Sequence, residues 1–170
     1  MSITLDFTGK TVLVVGGTSG INRGIAELFA QHGARVAVAS RSQDKVDDTV
    51  ASLKALGSDA MGFSADVRDP ESLNAGVAAV HKEFGDFDVV VSGAAGNFPA
   101  TAKGMSTNAF RAVIEIDLLG TFHVMKAVYP YLKKTGAAVI NISAPQAFLP
   151  MMAQSHVCSA KAGVDMITRT

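Results

Sequence analysis

The sequence predicts an α/β protein built on a doubly wound parallel sheet with strand order 3-2-1-4-5. Three observations predict it. Short apolar runs without polar alternation recur along the chain, as strands buried on both faces require. Each run is separated from the next by a segment with helical apolar spacing, so the connections are crossovers and not hairpins. Crossovers are right-handed, and that limits the order of the strands. One domain over residues 1–170 accommodates the pattern. Its last segment is still helical at Thr170, so the C-terminal part of the fold is expected to be absent.

The elements follow in order. Thr11–Val15 is a strand of β-branched residues and leucine that stops at Gly16-Gly17. Ile21–Gln31 carries Ile21, Ile25, Leu28 and Phe29 at helical spacing and ends at His32-Gly33, a C-cap signal. Arg35–Ala39 is the second strand, and Asp44–Leu56 is a polar-faced helix closed by Gly57. Met61–Ser64 is a short third strand. Pro70–Phe84 has proline in its first turn and ends at Gly85. Phe87–Val91 is the fourth strand, and Thr107–Tyr131 reads as one long helix bent near Gly120. Ala137–Ile142 is the fifth strand, and the last helix begins around His156.

Composition narrows the function. Fifteen basic residues balance fifteen acidic ones, which gives no electrostatic reason for nucleic acid or an anionic membrane as partner. The expected partner is a small-molecule substrate. Cys158 is the one cysteine, so no internal disulfide forms and a reducing compartment fits. Met1 to Lys10 has no signal-peptide pattern, and no apolar run approaches the ~20 residues of a spanning helix. The expected location is the cytoplasm. His32, His81 and His123 have no metal-ligand spacing.

Gly16-Gly17-Thr18-Ser19-Gly20-Ile21 joins the first strand to the first helix. A diphosphate can rest there on free N–H groups and the positive end of the helix dipole. Glycine permits the tight turn and the close approach of backbone to phosphate. A strand before the motif and a helix after it make it a dinucleotide loop, and the fold a Rossmann-like NADP-binding domain for the following reason. The second strand ends Ala39-Ser40-Arg41-Ser42, with no carboxylate before Asp44. An NAD-specific domain places an acidic residue there for the ribose 2′-hydroxyl. Arg41 can instead pair bidentately with a 2′-phosphate, and Ser40 can donate to it. Charge-assisted hydrogen bonds contribute about 1.5–3 kcal/mol each. The expected cofactor is therefore NADP(H), favoured by roughly 10- to 100-fold.

The loop resembles the TGxxxGxG loop of short-chain dehydrogenases/reductases, with Gly16 in place of threonine and Asn22 in place of the third glycine. The resemblance implies that Asp66 and Val67 flank the adenine. It also implies a catalytic quartet of Asn, Ser, Tyr and Lys. Lys161, in Ser159-Ala160-Lys161-Ala162-Gly163, takes the lysine place. Val157 stands where tyrosine is expected, Ala144 where serine is, and Asp117 where asparagine is. Asp117 precedes Ala144 by 27 residues and Ala144 precedes Lys161 by 17, the family spacing. Tyr129 and Tyr131, the only tyrosines, lie in the long helix and cannot supply a YxxxK motif.

Ser92-Gly93-Ala94-Ala95-Gly96-Asn97-Phe98, followed by Ile116-Asp117-Leu118 and Gly120-Thr121-Phe122, resembles one branch of that family, the peroxisomal-type 2,4-dienoyl-CoA reductases. That branch has likewise lost the tyrosine and holds Asp at the Asn place. The resemblance implies NADPH-dependent reduction of a conjugated acyl-CoA thioester, in fatty acid metabolism. It places Ala94, Ala95 and Gly96 on the cofactor, Asn97 at the thioester, and Lys161 on the nicotinamide ribose. Asp117 either positions a proton-delivering water or is itself the acid. The helices from Leu118 and His156 resemble those that pair in family homodimers and homotetramers. Two other readings stay open: a reductase of another carbonyl or alkene, and a non-catalytic NADP(H)-binding protein.

Overall fold

The computed structural model describes residues 5–170. Part of the 1–10 stretch considered for a signal peptide therefore lies outside the described residues. Five parallel strands form one sheet in the order β3-β2-β1-β4-β5. They are β1 Thr11–Val15, β2 Arg35–Ser40, β3 Ala60–Ser64, β4 Val89–Ser92 and β5 Ala138–Asn141. Between them run helices α1 Gly20–Gln31, α2 Gln43–Ala55 and α3 Pro70–Phe84, then α4 Thr107–Val113 and α5 Gly120–Val128, with α6 Ser155–Arg169 last. Strand order turns around between β1 and β4, where Val14 faces Val38 on one side and Val91 on the other.

Side-chain alternation divides the core between the two faces of the sheet. Leu13, Val15 and Val90 pack with Leu73, Val77 and Val124 on one face. Val12, Val14 and Val91 pack with Ala26, Ala30 and Leu53 on the other. Burying each of these Val and Leu side chains stabilises the fold by about 1.5–3 kcal/mol before opposing terms.

Three expectations need correction. The fourth strand starts at Val89; Phe87 makes only an isolated bridge to Leu132. The fifth strand is not buried on both faces, since β5 forms the sheet edge and leaves Ile140 44% exposed. The expected single helix from Thr107 to Tyr131 is divided: a π-helical turn spans Ile114–Leu119 between α4 and α5, and a 3₁₀ turn spans Tyr129–Tyr131. Gly120, the expected place of a bend, directly follows that π turn. Its φ is an ordinary −58°, and a Cβ there would meet Val67 Cγ2 at 2.6 Å. Close packing against Val67 selects glycine at that position.

Candidate active site

The strand order reverses between β1 and β4, and their C-terminal ends mark the place where open α/β sheets bind ligands. A cleft there is lined by Gly16, Thr18, Ser19, Ser40, Arg41, Asp66, Val67, Ala94 and Ala95, all expected from the sequence. Gly20 and Ile21, which open α1, and Gly96, which follows Ala95, do not line it. Gly16 is not a stand-in for threonine. Its φ of +79° and the 2.8 Å from its would-be Cβ to Ala94 N make it the loop's own turn glycine.

Helix capping agrees with an anion site at the start of α1; the start of α6 also lacks a side-chain cap, but it does not line the cleft. Ser42, Asp69 and Ser106 cap α2, α3 and α4 with their side chains. Ser19, at the start of α1, makes no such bond, and the first turn of α1 carries no acidic residue. Its N–H groups and dipole are left for an anion in the cleft.

At the far end of the cleft the Arg41 side chain is exposed beside Ser40 and Ser42. Ser40 Oγ donates to the Ser42 carbonyl at 3.4 Å, a long bond that a better acceptor displaces. Lys45, one turn into α2, adds a second cation to this lining. Sequence reading missed it, although the position follows from Ser42 being the cap. Asp66 is tied to Arg68, whose Nη2 lies 2.6 Å from its Oδ2; that hydrogen bonding holds the carboxyl below its ordinary pKa.

Asp117 and Lys161 are brought together. Asp117 is 1% exposed, and its Oδ2 lies 3.4 Å from Lys161 Nζ. Its Oδ1 accepts from the Gly96 N–H at 2.7 Å. Lys161 Nζ also donates to the Ile142 carbonyl at 3.0 Å, which anchors α6 to the end of β5. Burial pushes the Asp117 carboxyl up; Gly96, Lys161 and His156 pull it back without cancelling the effect. The net result is an acid that keeps its proton to higher pH than an exposed aspartate.

Asn97 follows Gly96 but is exposed, and no side-chain hydrogen bond holds it among the described residues. Val157, at the tyrosine place, is 4% exposed and packs with Val113, Ala160, Phe98 and Leu118. It is a core residue with nothing to donate. Tyr131 lies at the opposite end of the sheet, where its carbonyl accepts from the Phe87 N–H ahead of β4.

Ser143 and His156 each carry a buried polar atom without a hydrogen-bond partner among the described residues. Ser143 Oγ, beside Ala144, has no hydrogen-bond partner. His156 is fully buried, as a core residue at a helix start should be. One ring nitrogen, Nε2, faces the Phe98 carbonyl at 2.9 Å, and the other, Nδ1, is unpartnered. No periodicity distinguishes such groups from ordinary core polar residues.

Among the described residues no helix is long and apolar enough to cross a membrane. The chain is 41% identical to a peroxisomal 2,4-dienoyl-CoA reductase of Arabidopsis thaliana, a match covering 95% of this chain and 57% of that protein. A peroxisomal 2,4-dienoyl-CoA reductase of Rattus norvegicus is 39% identical over 94% of this chain and 56% of its own length. The chain thus spans little more than half the length of these relatives. Their names overturn the expected cytoplasmic location. Peroxisomal addresses are short, receptor-read peptides that composition does not register. A solved actinorhodin polyketide ketoreductase with NADPH superposes with a TM-score of 0.90 at 29% identity, over 94% of this chain and 62% of that one. The family model for short chain dehydrogenases matches residues 10–170. Loop, sheet, paired Asp117 and Lys161, and these matches agree: the chain belongs to the short-chain dehydrogenase family.

Proposed function

We propose that the protein is an NADP(H)-dependent reductase of a 2,4-dienoyl-CoA or a similar conjugated acyl thioester. The observation that carries this reading is the buried pair of Asp117 and Lys161, 3.4 Å apart, in a site whose tyrosine place is filled by core residue Val157. The names of the relatives support the substrate class.

Bound NADPH supplies a hydride to the far end of the conjugated chain. The protein's residues do the rest. The open N-terminus of α1 receives the diphosphate, with the backbone around Gly16, Gly20 and Ile21. Arg41, Lys45 and Ser40 hold the 2′-phosphate, Asp66 and Val67 flank the adenine, and Ala94, Ala95 and Gly96 border the coenzyme. Lys161 bonds the ribose hydroxyls. Negative charge moves to the thioester oxygen, where the exposed Asn97 amide donates a hydrogen bond. The proton goes to carbon, and Asp117 holds it, delivering directly or through one water. A ketone substrate would need a donor at its oxygen, which Val157 cannot be.

The test is NADPH oxidation by the protein with a panel of 2,4-dienoyl-CoA, 2-enoyl-CoA and simple ketone substrates. Turnover of the dienoyl thioester above the others is expected. Turnover of ketones alone would overturn the substrate class. The absence of serine and tyrosine at their places favours one rival, a non-catalytic NADP(H)-binding protein, which would bind the coenzyme and consume it with none of the panel. Leu119, Phe122 and Met166 leave large apolar side chains in solvent on the helices expected to pair. A homodimer or homotetramer is the assembly proposed, to be checked by light scattering.

A further inference from the structure

Asn22 stands in the first turn of α1 and lines the nucleotide cleft. Its side chain crosses to the exit of β4, where Nδ2 donates to the Gly93 carbonyl at 2.8 Å. That carbonyl can only accept, so it fixes which way round the amide sits. Oδ1 is therefore turned away from it, and it is buried without a hydrogen-bond partner among the described residues. Gly93 makes room for this arrangement: a Cβ there would lie 2.3 Å from Nδ2 and 2.4 Å from Oδ1. The loop after β1 and the segment after β4 are thus fitted to each other around one amide, at the position where the resemblance expects only a hydrogen atom.

A buried amide oxygen without a partner is rare in a folded chain and calls for a donor from elsewhere. The diphosphate of a dinucleotide only accepts. The groups flanking it that donate are the ribose hydroxyls. We propose that Asn22 is a coenzyme-binding residue: Oδ1 accepts from a ribose hydroxyl next to the diphosphate while Nδ2 holds the Gly93 carbonyl, and glycine at 93 is required for both. This rests on the cleft being a nicotinamide dinucleotide site. It does not depend on the acyl substrate.

The experiment is fluorescence titration of the full chain with NADPH and with NADH, together with melting of the ligand-free protein. The variants are Asn22→Gly, Gly93→Ala and the two combined. Loss of one neutral hydrogen bond predicts that Asn22→Gly weakens both coenzymes by the same factor, about five- to tenfold. The ribose hydroxyl is common to both, so the ratio of the two affinities stays put. Gly93→Ala expels the amide and lowers both affinity and Tm. Adding Asn22→Gly to it restores Tm and costs no further affinity, so the two changes are non-additive. Coenzyme binding by Asn22→Gly at the wild-type level, or additive losses in the combined variant, would overturn the inference and leave the dinucleotide reading intact. Failure of the unaltered chain to bind either coenzyme would overturn both.

Discussion

Lys161→Met isolates the energetics of the buried pair. Methionine keeps a long unbranched side chain and a good helix former in α6, so the helix itself is little affected. What disappears is the ammonium 3.4 Å from Asp117 and the donor to the Ile142 carbonyl. Both members are almost fully buried, with side chains 8% and 1% exposed, so solvent screening gives little relief. Breaking a buried pair by removing one member costs about 3–5 kcal/mol. Asp117 can escape part of that by taking a proton, because burial already holds its pKa up. The sign follows from linkage. Below about pH 3.9, the unfolded value, the carboxyl is neutral in both states and the penalty is smallest. As pH rises towards the elevated folded value, the unfolded chain releases the proton and the folded one keeps it. Stability then falls by up to about 1.4 kcal/mol per pH unit, and the loss levels off once the folded carboxyl ionises. The wild type shows the same sign over a narrower window, because Lys161 pulls the Asp117 pKa down. Urea denaturation between about pH 5 and pH 8 measures both slopes. A stability gap between variant and wild type that does not change with pH would refute this reasoning. So would a combined Lys161→Met and Asp117→Asn variant no more stable at alkaline pH than Lys161→Met alone.

Other perturbations separate the parts of the site. Arg41→Asp should weaken NADPH binding by roughly 10- to 100-fold and NADH binding little; equal losses in titration would show that Arg41 does not read the 2′-phosphate. Asp117→Ala should lower kcat on a dienoyl-CoA by about 10²-fold or more and remove one step from the pH–rate profile, whereas an unchanged profile would take the proton away from Asp117. Gly16→Ala forces a β-carbon into a left-handed turn 2.8 Å from Ala94 N. It should cost at least about 1–2 kcal/mol and abolish the rise in Tm that NADPH produces in the wild type. An undiminished rise would show that the loop tolerates a Cβ.

Strand order was legible because the apolar runs at Thr11–Val15 and Arg35–Ala39 are too short for helices and are punctuated by glycine. The Asp117 and Lys161 pairing was legible because the spacing to Ala144 survives although the residue types changed. What the sequence hid were matters of three-dimensional placement. Nothing in Ala137–Ile142 says that this strand, like β3 at the other side, lies at an edge of the sheet among the described residues. Asn22 and Gly93 are 71 positions apart and meet only because β1 and β4 are neighbours. The π turn has no local signal either, since Ile-Glu-Ile-Asp-Leu-Leu is as good a sequence for an ordinary helix.

That turn acts as a phase shifter. Val113 and Val124 are eleven positions apart, about three full turns of an α-helix, so in an unbroken rod they would face the same way. Instead Val113 packs with Val157 and Ala160 of α6, while Val124 packs with Leu13 and Val90 of the sheet. One extra residue's worth of winding lets a single length of chain serve two neighbours on different bearings, with Asp117 at the point of change. Deleting one residue between Ile114 and Leu119 would remove the extra winding together with the residue that needs it, so the two halves would keep their present bearings in a continuous α-helix.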